Sequence, residues 1–387
     1  MNKYHALIGA EAAAHAMRQI DPCVVAVYPI TPQTPIIETF SKFAADGKVN
    51  GQIIHVESEH SALSAAVGAQ AAGVRSMTAS ASAGLALMYE ILGVASGLRL
   101  PIVANIANRA LSAPINIHCD HSDSMGVRDS GWIQIYSETA QEAYDHNFLA
   151  LKLAEKVMLP GMVMQDGFIT SHCMENVELL ADESAREFIG DYSPAHSLLD
   201  VQNPITVGAL QLTDYYFETK RQQVKAMEKV DEIYDDVEKM LRAYTKRSYP
   251  KLETYFMEDA QTAIIVLNST AGTAKAVCQK LRKKNFKVGV IKPRLFLPFP
   301  QKELVKIVKN LKSIAVLDRA LSFGSDAPLV KEVKNALFGM KKRPKIQSCV
   351  FGLGGRDIFE KEIEALYNDL IDDNIKENKV NYIGLRQ

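Results

Sequence analysis

Residues 24–35 read Val-Val-Ala-Val-Tyr-Pro-Ile-Thr-Pro-Gln-Thr-Pro. An apolar, β-branched run typical of a buried strand stops at Tyr28, and three prolines follow within seven residues. Each proline fixes its own φ and disfavours the helical region for the residue before it, so the backbone here is stiff and extended. Thr31 and Thr34 therefore lie on a rigid loop past the carboxyl end of a strand, where open α/β sheets bind ligands. We predict a ligand-facing loop rather than a plain connector.

The first 170 residues alternate strand-like and helical patterns. The predicted strands are Val24–Tyr28, Gln52–Val56, Arg75–Ser80, Pro101–Ala107 and Gly161–Gln165. The predicted helices are Pro35–Ala45, His60–Ala72, Gly84–Gly97 and Thr139–Met158. Buried β-branched strands that alternate with helices are typical of the α/β class, with a parallel sheet covered on both faces.

The second half begins with a turn-rich connecting region over 171–210 and a long charged helix over 211–246. No strict heptad persists in this helix, which favours a solvated connector over a coiled coil. A second α/β unit follows, with strands predicted at Thr262–Leu267, Lys287–Ile291, Ser313–Leu317 and Ile346–Phe351. Its helices are predicted at Ala271–Lys284, Gln301–Lys309, Ala327–Leu337 and Ile358–Leu370. We expect domains at 1–210 and 251–372, a helical connector at 211–250, and a polar C-terminal arm over 373–387 that contacts another surface.

The composition excludes several classes of protein. The 387 residues are 47% hydrophobic and 23% charged with a net charge of −1, so there is no basic surface for nucleic acid or an anionic membrane. The best membrane candidate, residues 79–98, carries Glu90 and reads better as a buried helix, and the amino terminus lacks a signal peptide pattern. Five cysteines without CxxC spacing suit the cytoplasm and argue against zinc or an iron–sulfur cluster in this chain.

Two carboxylates follow the predicted strand Gln52–Val56 directly. Glu57 and Glu59 precede an Ala- and Gly-rich helix, where backbone N–H groups and the helix dipole stabilise a negative charge. Taken alone, such residues are more often ordinary helix-terminal charges than functional groups. Arg109 follows the strand Pro101–Ala107, where a guanidinium could hold a carboxylate through two parallel hydrogen bonds. A salt bridge to a neighbouring acid explains Arg109 equally well.

Three further segments could carry chemistry. Cys119-Asp-His-Ser-Asp123 favours a hydrogen-bonding loop over a metal site, because metal ligands usually come from separate elements. Thr78-Ala-Ser-Ala-Ser-Ala-Gly84 is a small-residue turn that suits close approach of a ligand or a partner backbone. Gly352-Leu-Gly-Gly-Arg-Asp357 lacks the full dinucleotide fingerprint, so we interpret it as a structural turn rather than a phosphate loop.

Together these motifs closely resemble the α subunit of the 2-oxoacid:ferredoxin oxidoreductases, with pyruvate:ferredoxin oxidoreductase as the nearest member. The shared motifs are Tyr-Pro-Ile-Thr-Pro at 28–32, Ser58-Glu59, Thr78-Ala-Ser80, Arg109-Ala110, Asp120-His-Ser-Asp123 with Arg128, Asp166-Gly-Phe168 with Thr170-Ser-His172, the Pro-Phe-Pro loop and Gly-Leu-Gly-Gly-Arg-Asp. Their order and spacing cover about residues 5–365. Ala83 stands where the family turn has proline, and Phe351 where tyrosine is frequent; neither change touches the expected chemistry.

The resemblance implies oxidative decarboxylation of pyruvate, or a related 2-oxoacid, with coenzyme A to acyl-CoA and CO2, and electrons passing to ferredoxin. Residues 1–210 would form a pyrimidine-type thiamine-diphosphate-binding domain, and 251–372 a transketolase C-terminal-like domain. The chain lacks the Gly-Asp-Gly and paired asparagines that hold magnesium and diphosphate. The resemblance therefore assigns Mg2+ and the diphosphate to a β subunit, and [4Fe-4S] clusters to β and a ferredoxin-like δ subunit. A γ subunit would complete the complex, and this chain would be active only with its partners.

The resemblance also implies roles for single residues. Glu59 would hydrogen-bond the aminopyrimidine ring nitrogen of thiamine diphosphate and so favour the imino tautomer that activates the cofactor. Arg109 would hold the substrate carboxylate, and Thr31 would donate its hydroxyl to that group or to the 2-oxo oxygen. The cofactor surface is further expected to include Tyr28, Pro29 and Gly84.

The loop with Asp120, His121 and Asp123 would line the cofactor or a subunit contact, and no residue of the chain is expected to bind a metal. Two alternatives stay open at this point. A half-subunit of a transketolase-like or 2-oxoacid dehydrogenase E1 enzyme shares the fold pair but does not use ferredoxin. An accessory scaffold chain would merely have inherited the binding surface, although retention of Thr31, Glu59 and Arg109 argues against it.

Overall fold

The computed structural model describes residues 3–386. In chain order its strands are β1 (Lys3–Ile8), β2 (Val24–Val27), β3 (Gln52–His55), β4 (Ser76–Ser80), β5 (Val103–Asn108), β6 (Ile133–Ser137), β7 (Gly161–Asp166), β8 (Met174–Leu179), β9 (Leu252–Tyr255), β10 (Thr262–Val266), β11 (Val288–Pro293), β12 (Leu295–Leu297), β13 (Ser313–Asp318), β14 (Lys345–Val350) and β15 (Asn381–Tyr382). The helices are α1 (Gly9–Ile20), α2 (Thr34–Ala45), α3 (Glu59–Ala71), α4 (Ser82–Leu87), α5 (Tyr89–Gly97), α6 (Ser122–Gly126), α7 (Ala140–Val157), α8 (Asp182–Ile189), α9 (Tyr216–Thr245), α10 (Thr270–Lys283), α11 (Gln301–Val308), α12 (Pro328–Leu337) and α13 (Glu360–Ile371).

The first sheet belongs mainly to the amino-terminal half. Among the described residues it has the strand order β12-β6-β7-β5-β4-β2-β3, and every pair is parallel except β12 with β6. The connection after β2 leads to β3, whereas the connection after β4 leads to β5 on the opposite side. A crevice therefore opens between the carboxyl ends of β2 and β4, which is the switch point where such sheets bind ligands.

The second sheet lies in the carboxyl-terminal half. Over the described range its order is β15-β14-β13-β10-β11-β9, parallel except for β9. Both sheets consist of buried apolar strands with helices packed against them, which confirms the predicted α/β class. Residues 381–382 of the predicted arm pair with β14, so this part of the arm folds onto its own sheet rather than onto another surface.

Several elements differ from the sequence-based expectation. The pattern missed β1, α1, α6, β6, β8, α8, β9 and β12, and β8 and α8 fall in the region predicted to be only a connector. Residues 84–97, predicted as one helix, form two short helices. The long helix α9 is not fully solvated: Ala226, Val230, Tyr234, Val237 and Leu241 recur every three or four residues and pack in the first core.

The two halves are joined by more than the connector. Strand β12 comes from the second half but forms the edge of the first sheet beside β6. Lys292 and Arg294, both about 1% exposed, contact the Glu142 carboxylate at 2.6 and 2.9 Å. Removing one partner of a buried ion pair typically costs several kcal/mol, so these contacts hold the halves in one orientation. Within residues 3–386, no helix is both long and apolar enough to cross a membrane.

Candidate active site

The proline-rich loop after β2 forms one wall of the crevice. Tyr28, Pro29 and Thr31 are exposed there, and the Thr31–Pro32 peptide bond is cis. The backbone of this loop is held in place, because the buried Gln33 side chain accepts a hydrogen bond from the Ile30 N–H at 3.2 Å. The side chains of Tyr28, Pro29 and Thr31 can therefore contact a ligand, while the loop backbone is fixed by Gln33.

Glu59 and Glu57 occupy different environments although they are two residues apart. Glu57 is exposed and accepts a hydrogen bond from the Ser61 hydroxyl, which lowers the pKa of its carboxyl. It is an ordinary helix-terminal charge. Glu59 opens α3 with only 6% exposure, and within residues 3–386 no donor hydrogen-bonds to its carboxylate. A nearly buried carboxylate without a donor is costly unless a bound group supplies one, so Glu59 is a candidate ligand-binding residue.

Gly84 forms a cradle for the Glu59 carboxylate. A Cβ at position 84 would lie 2.5 Å from Glu59 Oε1 and 2.6 Å from Ser80 Oγ, too close for real atoms. The Ser80 hydroxyl is itself buried without a hydrogen-bond partner. The small-residue turn predicted from the sequence thus places a glycine, an unpartnered hydroxyl and an unpartnered carboxylate side by side.

Arg109 lies directly after β5 and is 8% exposed. Its Nη1 donates to the Thr31 carbonyl oxygen at 2.9 Å, and its Nε donates to the Asn116 carbonyl oxygen at 3.1 Å. Within the described chain the guanidinium forms no ion pair with an acidic side chain, so the salt-bridge alternative does not hold. A nearly buried positive charge held only by neutral carbonyls favours the binding of an anion.

Asp123 connects these two groups. One carboxylate oxygen accepts from the Ser82 N–H at 2.9 Å and from the Arg109 N–H at 3.0 Å. The other accepts from the Asn108 side-chain amide at 2.8 Å and from the Ser124 N–H at 2.7 Å. Burial raises the pKa of Asp123 to about 6, although these hydrogen bonds oppose the shift. Asp123 therefore ties the helix that carries Gly84 to Arg109.

His121 faces the second half instead. Its Nε2 lies 2.8 Å from Asp166 Oδ1, and the other Asp166 oxygen accepts from Arg319 Nη1 at 3.1 Å. Burial alone would raise the pKa of Asp166, but the neighbouring His121 and Arg319 hold it well below its usual value. Cys119 joins the same cluster: its Sγ and Asp166 both contact Arg319, and Cys119, His121 and Asp166 lie close enough together to offer three metal ligands.

The Gly352–Gly355 turn packs on the loop that carries Cys119 and Asp120. The Gly354 N–H donates to Asp120 Oδ2 at 3.2 Å, and the Gly355 N–H donates to the Cys119 carbonyl at 2.6 Å. Because these donors are occupied within the chain, the turn is structural and not a phosphate loop. Sequence reasoning missed Ser80 as an unpartnered hydroxyl, and it missed Asn116 and Arg319, which no local pattern singles out.

A sequence model for a family described as pyruvate flavodoxin/ferredoxin oxidoreductase, thiamine diphosphate-binding, matches residues 15–239. A second, for the pyruvate:ferredoxin oxidoreductase core domain II, matches residues 260–363. The two models define a thiamine-diphosphate-binding type of oxidoreductase subunit. The chain belongs to the pyruvate:ferredoxin oxidoreductase family, which confirms the resemblance seen in the sequence.

Individual relatives agree with this assignment. Pyruvate synthase subunit PorA of Thermotoga maritima is 52% identical over 384 residues, covering 99% of this chain and 98% of the relative. The protein of the same name from Methanocaldococcus jannaschii is 43% identical and covers 98% of each chain. Ketoisovalerate oxidoreductase subunit VorA of Pyrococcus horikoshii is 43% identical, covering 94% of this chain and 92% of the relative. These relatives favour the ferredoxin-linked interpretation over the transketolase-like or E1 alternative.

Two solved structures share the fold. A 2-oxoglutarate:ferredoxin oxidoreductase from Magnetococcus marinus, solved with 2-oxoglutarate, coenzyme A and succinyl-CoA bound, aligns with a TM-score of 0.73 at 20% identity. The alignment covers 96% of this chain and 65% of that one. A split-gene transketolase in an inactive β4 tetramer aligns with a TM-score of 0.57 at 10% identity, covering 95% and 99% of the two chains. At these identities the likeness concerns the fold alone.

Proposed function

We propose that this chain is the α subunit of a pyruvate:ferredoxin oxidoreductase. With its partners it converts pyruvate and coenzyme A into acetyl-CoA and CO2 and passes two electrons to ferredoxin. The observation that carries the proposal is a pair of nearly buried charged groups at one crevice that form no ion pair within the described residues, the Glu59 carboxylate and the Arg109 guanidinium. The identity of 52% to a protein named pyruvate synthase subunit PorA exceeds the 43% to one named ketoisovalerate oxidoreductase subunit VorA, which supports pyruvate as the substrate.

The surroundings of Glu59 fit the aminopyrimidine of thiamine diphosphate. When bound, this cofactor supplies the nucleophilic carbon that attacks the 2-oxo group and accepts the electron pair left by CO2. Glu59 offers the acceptor for a ring N–H, and Gly84 leaves the carboxylate in place because it has no Cβ. Ser80 offers a hydroxyl without a partner at the same point. Tyr28 and Pro29, exposed at the crevice rim, line the cofactor.

Arg109 and Thr31 fit the 2-oxoacid substrate. The Arg109 guanidinium, already fixed by two carbonyl oxygens, keeps N–H groups for the substrate carboxylate. The exposed Thr31 hydroxyl lies on the same rigid loop and donates to that carboxylate or to the 2-oxo oxygen.

The site is half of a larger one. The chain carries no sequence pattern for diphosphate and Mg2+, and its five cysteines lack cluster spacing. We assign the diphosphate and Mg2+ to a β subunit, and [4Fe-4S] clusters to β and a ferredoxin-like δ subunit, with γ completing the assembly. A set of exposed apolar side chains near the crevice supports a partner there: Leu87, Tyr89, Val94, Ile115 and Ile117. All five cysteines are unpaired, which supports a cytoplasmic location.

The test uses the complex co-purified with its partner subunits. We expect a brown assembly that reduces methyl viologen with coenzyme A and pyruvate, and prefers pyruvate to 2-oxoisovalerate and 2-oxoglutarate in a substrate panel. The isolated chain should be inactive. A colourless assembly that acylates lipoamide would contradict the proposal, and a preference for 2-oxoisovalerate would move the substrate assignment to that of the VorA relatives.

A further inference from the structure

The Gly352–Gly355 turn of the second half touches the active-site side of the first half. Gly354 has a φ of +59°, and its carbonyl accepts a hydrogen bond from Asn116 Nδ2 at 3.0 Å. A Cβ added at Gly354 would overlap that same Nδ2 atom. Gly354 is therefore required twice, once for its backbone conformation and once for close approach to Asn116.

Asn116 transmits this contact to Arg109. Its side-chain amide is held at both ends, because Nδ2 donates to Gly354 and Oδ1 accepts from the His118 N–H at 2.7 Å. Its backbone carbonyl accepts the hydrogen bond from Arg109 Nε at 3.1 Å. Because the Asn116 side chain is held at both ends, the direction of the Asn116 backbone carbonyl is fixed. The hydrogen bond to this carbonyl then fixes the plane of the Arg109 guanidinium.

We propose that Gly354 is a positioning residue for substrate binding: through Asn116 it orients Arg109 toward the carboxylate of the 2-oxoacid. The second half thus takes part in the active site without touching the substrate. This inference rests on the proposed role of Arg109. It predicts an effect on the KM for pyruvate rather than on kcat, since an Arg109 turned away weakens substrate binding while the cofactor site stays intact.

The main variant is Gly354→Ala in the assembled complex. The added methyl group displaces Asn116, and we expect the KM for pyruvate to rise about tenfold with kcat within about twofold, since small misplacements of positioning groups cost up to about 100-fold. Gly324→Ala is the matched control. Gly324 lies in the same half with a φ of +84°, and nothing lies within 4 Å of its added Cβ. It carries the same kind of backbone strain, and its KM should remain within about twofold of the wild-type value.

A second variant separates steric damage from positioning. Asn116→Ala removes both side-chain hydrogen bonds and should raise the KM to a similar extent. In this background Gly354→Ala has no amide to displace, so its further effect on KM should fall to that of Gly324→Ala. If Gly354→Ala prevents assembly, Asn116→Ala alone supplies the test.

The outcomes distinguish failure of this inference from failure of the proposed function on which it rests. If Arg109→Lys raises the KM but neither Gly354→Ala nor Asn116→Ala raises it beyond Gly324→Ala, the inference is overturned and the proposed function stands. If the two fold-changes in KM simply multiply in the double variant, the path through Asn116 is wrong. If Arg109→Lys leaves the KM unchanged, the role of Arg109 in the proposed function is refuted, and the inference with it.

Discussion

Gly84→Ala tests the placement of the Glu59 carboxylate without changing any charged group. The added Cβ would lie 2.5 Å from Glu59 Oε1, whereas ordinary contact begins at 3.4 Å. The carboxylate must therefore move by about 0.9 Å, since Ser80 Oγ at 2.6 Å blocks a shift of the methyl group the other way. A misplacement of about 1 Å can cost about 100-fold in rate, so we expect kcat to fall by about that factor.

The assay is ferredoxin-linked or methyl viologen-linked pyruvate oxidation by the purified complex, normalised to bound thiamine diphosphate. Gly68→Ala is the control, because Gly68 lies on the helix that Glu59 opens, and nothing lies within 4 Å of its added Cβ. This variant should keep wild-type kcat and gain slightly in stability from better helix propensity. A Gly84→Ala complex with full cofactor and unchanged kcat would refute the reasoning, because Glu59 would then not need its observed position.

Three further predictions concern the charged residues. Glu59→Gln should lower kcat by about 100-fold or more, since it removes the charge that activates the cofactor, as measured at saturating pyruvate and cofactor. Arg109→Ala should raise the KM for pyruvate by about 10- to 100-fold, and Arg109→Lys less, because lysine keeps the charge but not the fork geometry; steady-state kinetics would show this. Asp123→Asn should lower kcat/KM about tenfold, because an amide nitrogen would face backbone N–H donors. In the wild type, kcat/KM should fall as pH drops through about 6, where Asp123 takes up a proton, and this acid limb should be absent from the variant.

Each prediction has a control or a contradicting result. Wild-type kcat in Glu59→Gln, or wild-type KM in Arg109→Ala, would remove the corresponding assignment. For Asp123, the control is Asp318→Asn: Asp318 is likewise buried and accepts from the Leu329 and Val330 N–H groups at 2.7 and 3.0 Å. This variant should lose stability but keep the KM and the acid limb. An acid limb that persists in Asp123→Asn would assign the titration to another group.

Asp123 is retained at a cost in stability. Burial raises its pKa from 3.8 to about 6. The folded protein is therefore more stable below about pH 4, where Asp123 is protonated, than at neutral pH, and this extra stability is lost as pH rises through 6. At neutral pH the shift corresponds to about 3 kcal/mol against folding. Its four hydrogen bonds fix Arg109 and the helix of Gly84, which indicates that this residue is kept for geometry rather than for stability.

The sequence predicted the sheet and much of the site because both depend on short-range patterns. β-branched residues marked β2 and β5, Arg109 follows β5 directly, and Glu59 comes within four residues of the end of β3. The Ala-rich helix indicated that a glutamate at its start would be partly buried, as Glu59 is, but no pattern distinguished Glu59 from the exposed Glu57, which precedes the helix. Long-range contacts were inaccessible: Asn116 and Gly354 are 238 residues apart, and no local pattern pairs them.

The contribution of β12 to the first sheet bears on how this protein could have evolved. If a gene were split after the connector helix, the first polypeptide would leave the backbone N–H and C=O groups of β6 unpaired, an edge prone to self-association. The second polypeptide would have to return Leu295–Leu297 to that edge during assembly, much as a donated strand completes another subunit. Fission at this boundary is therefore disfavoured, and the two halves are expected to be inherited and exchanged as one unit.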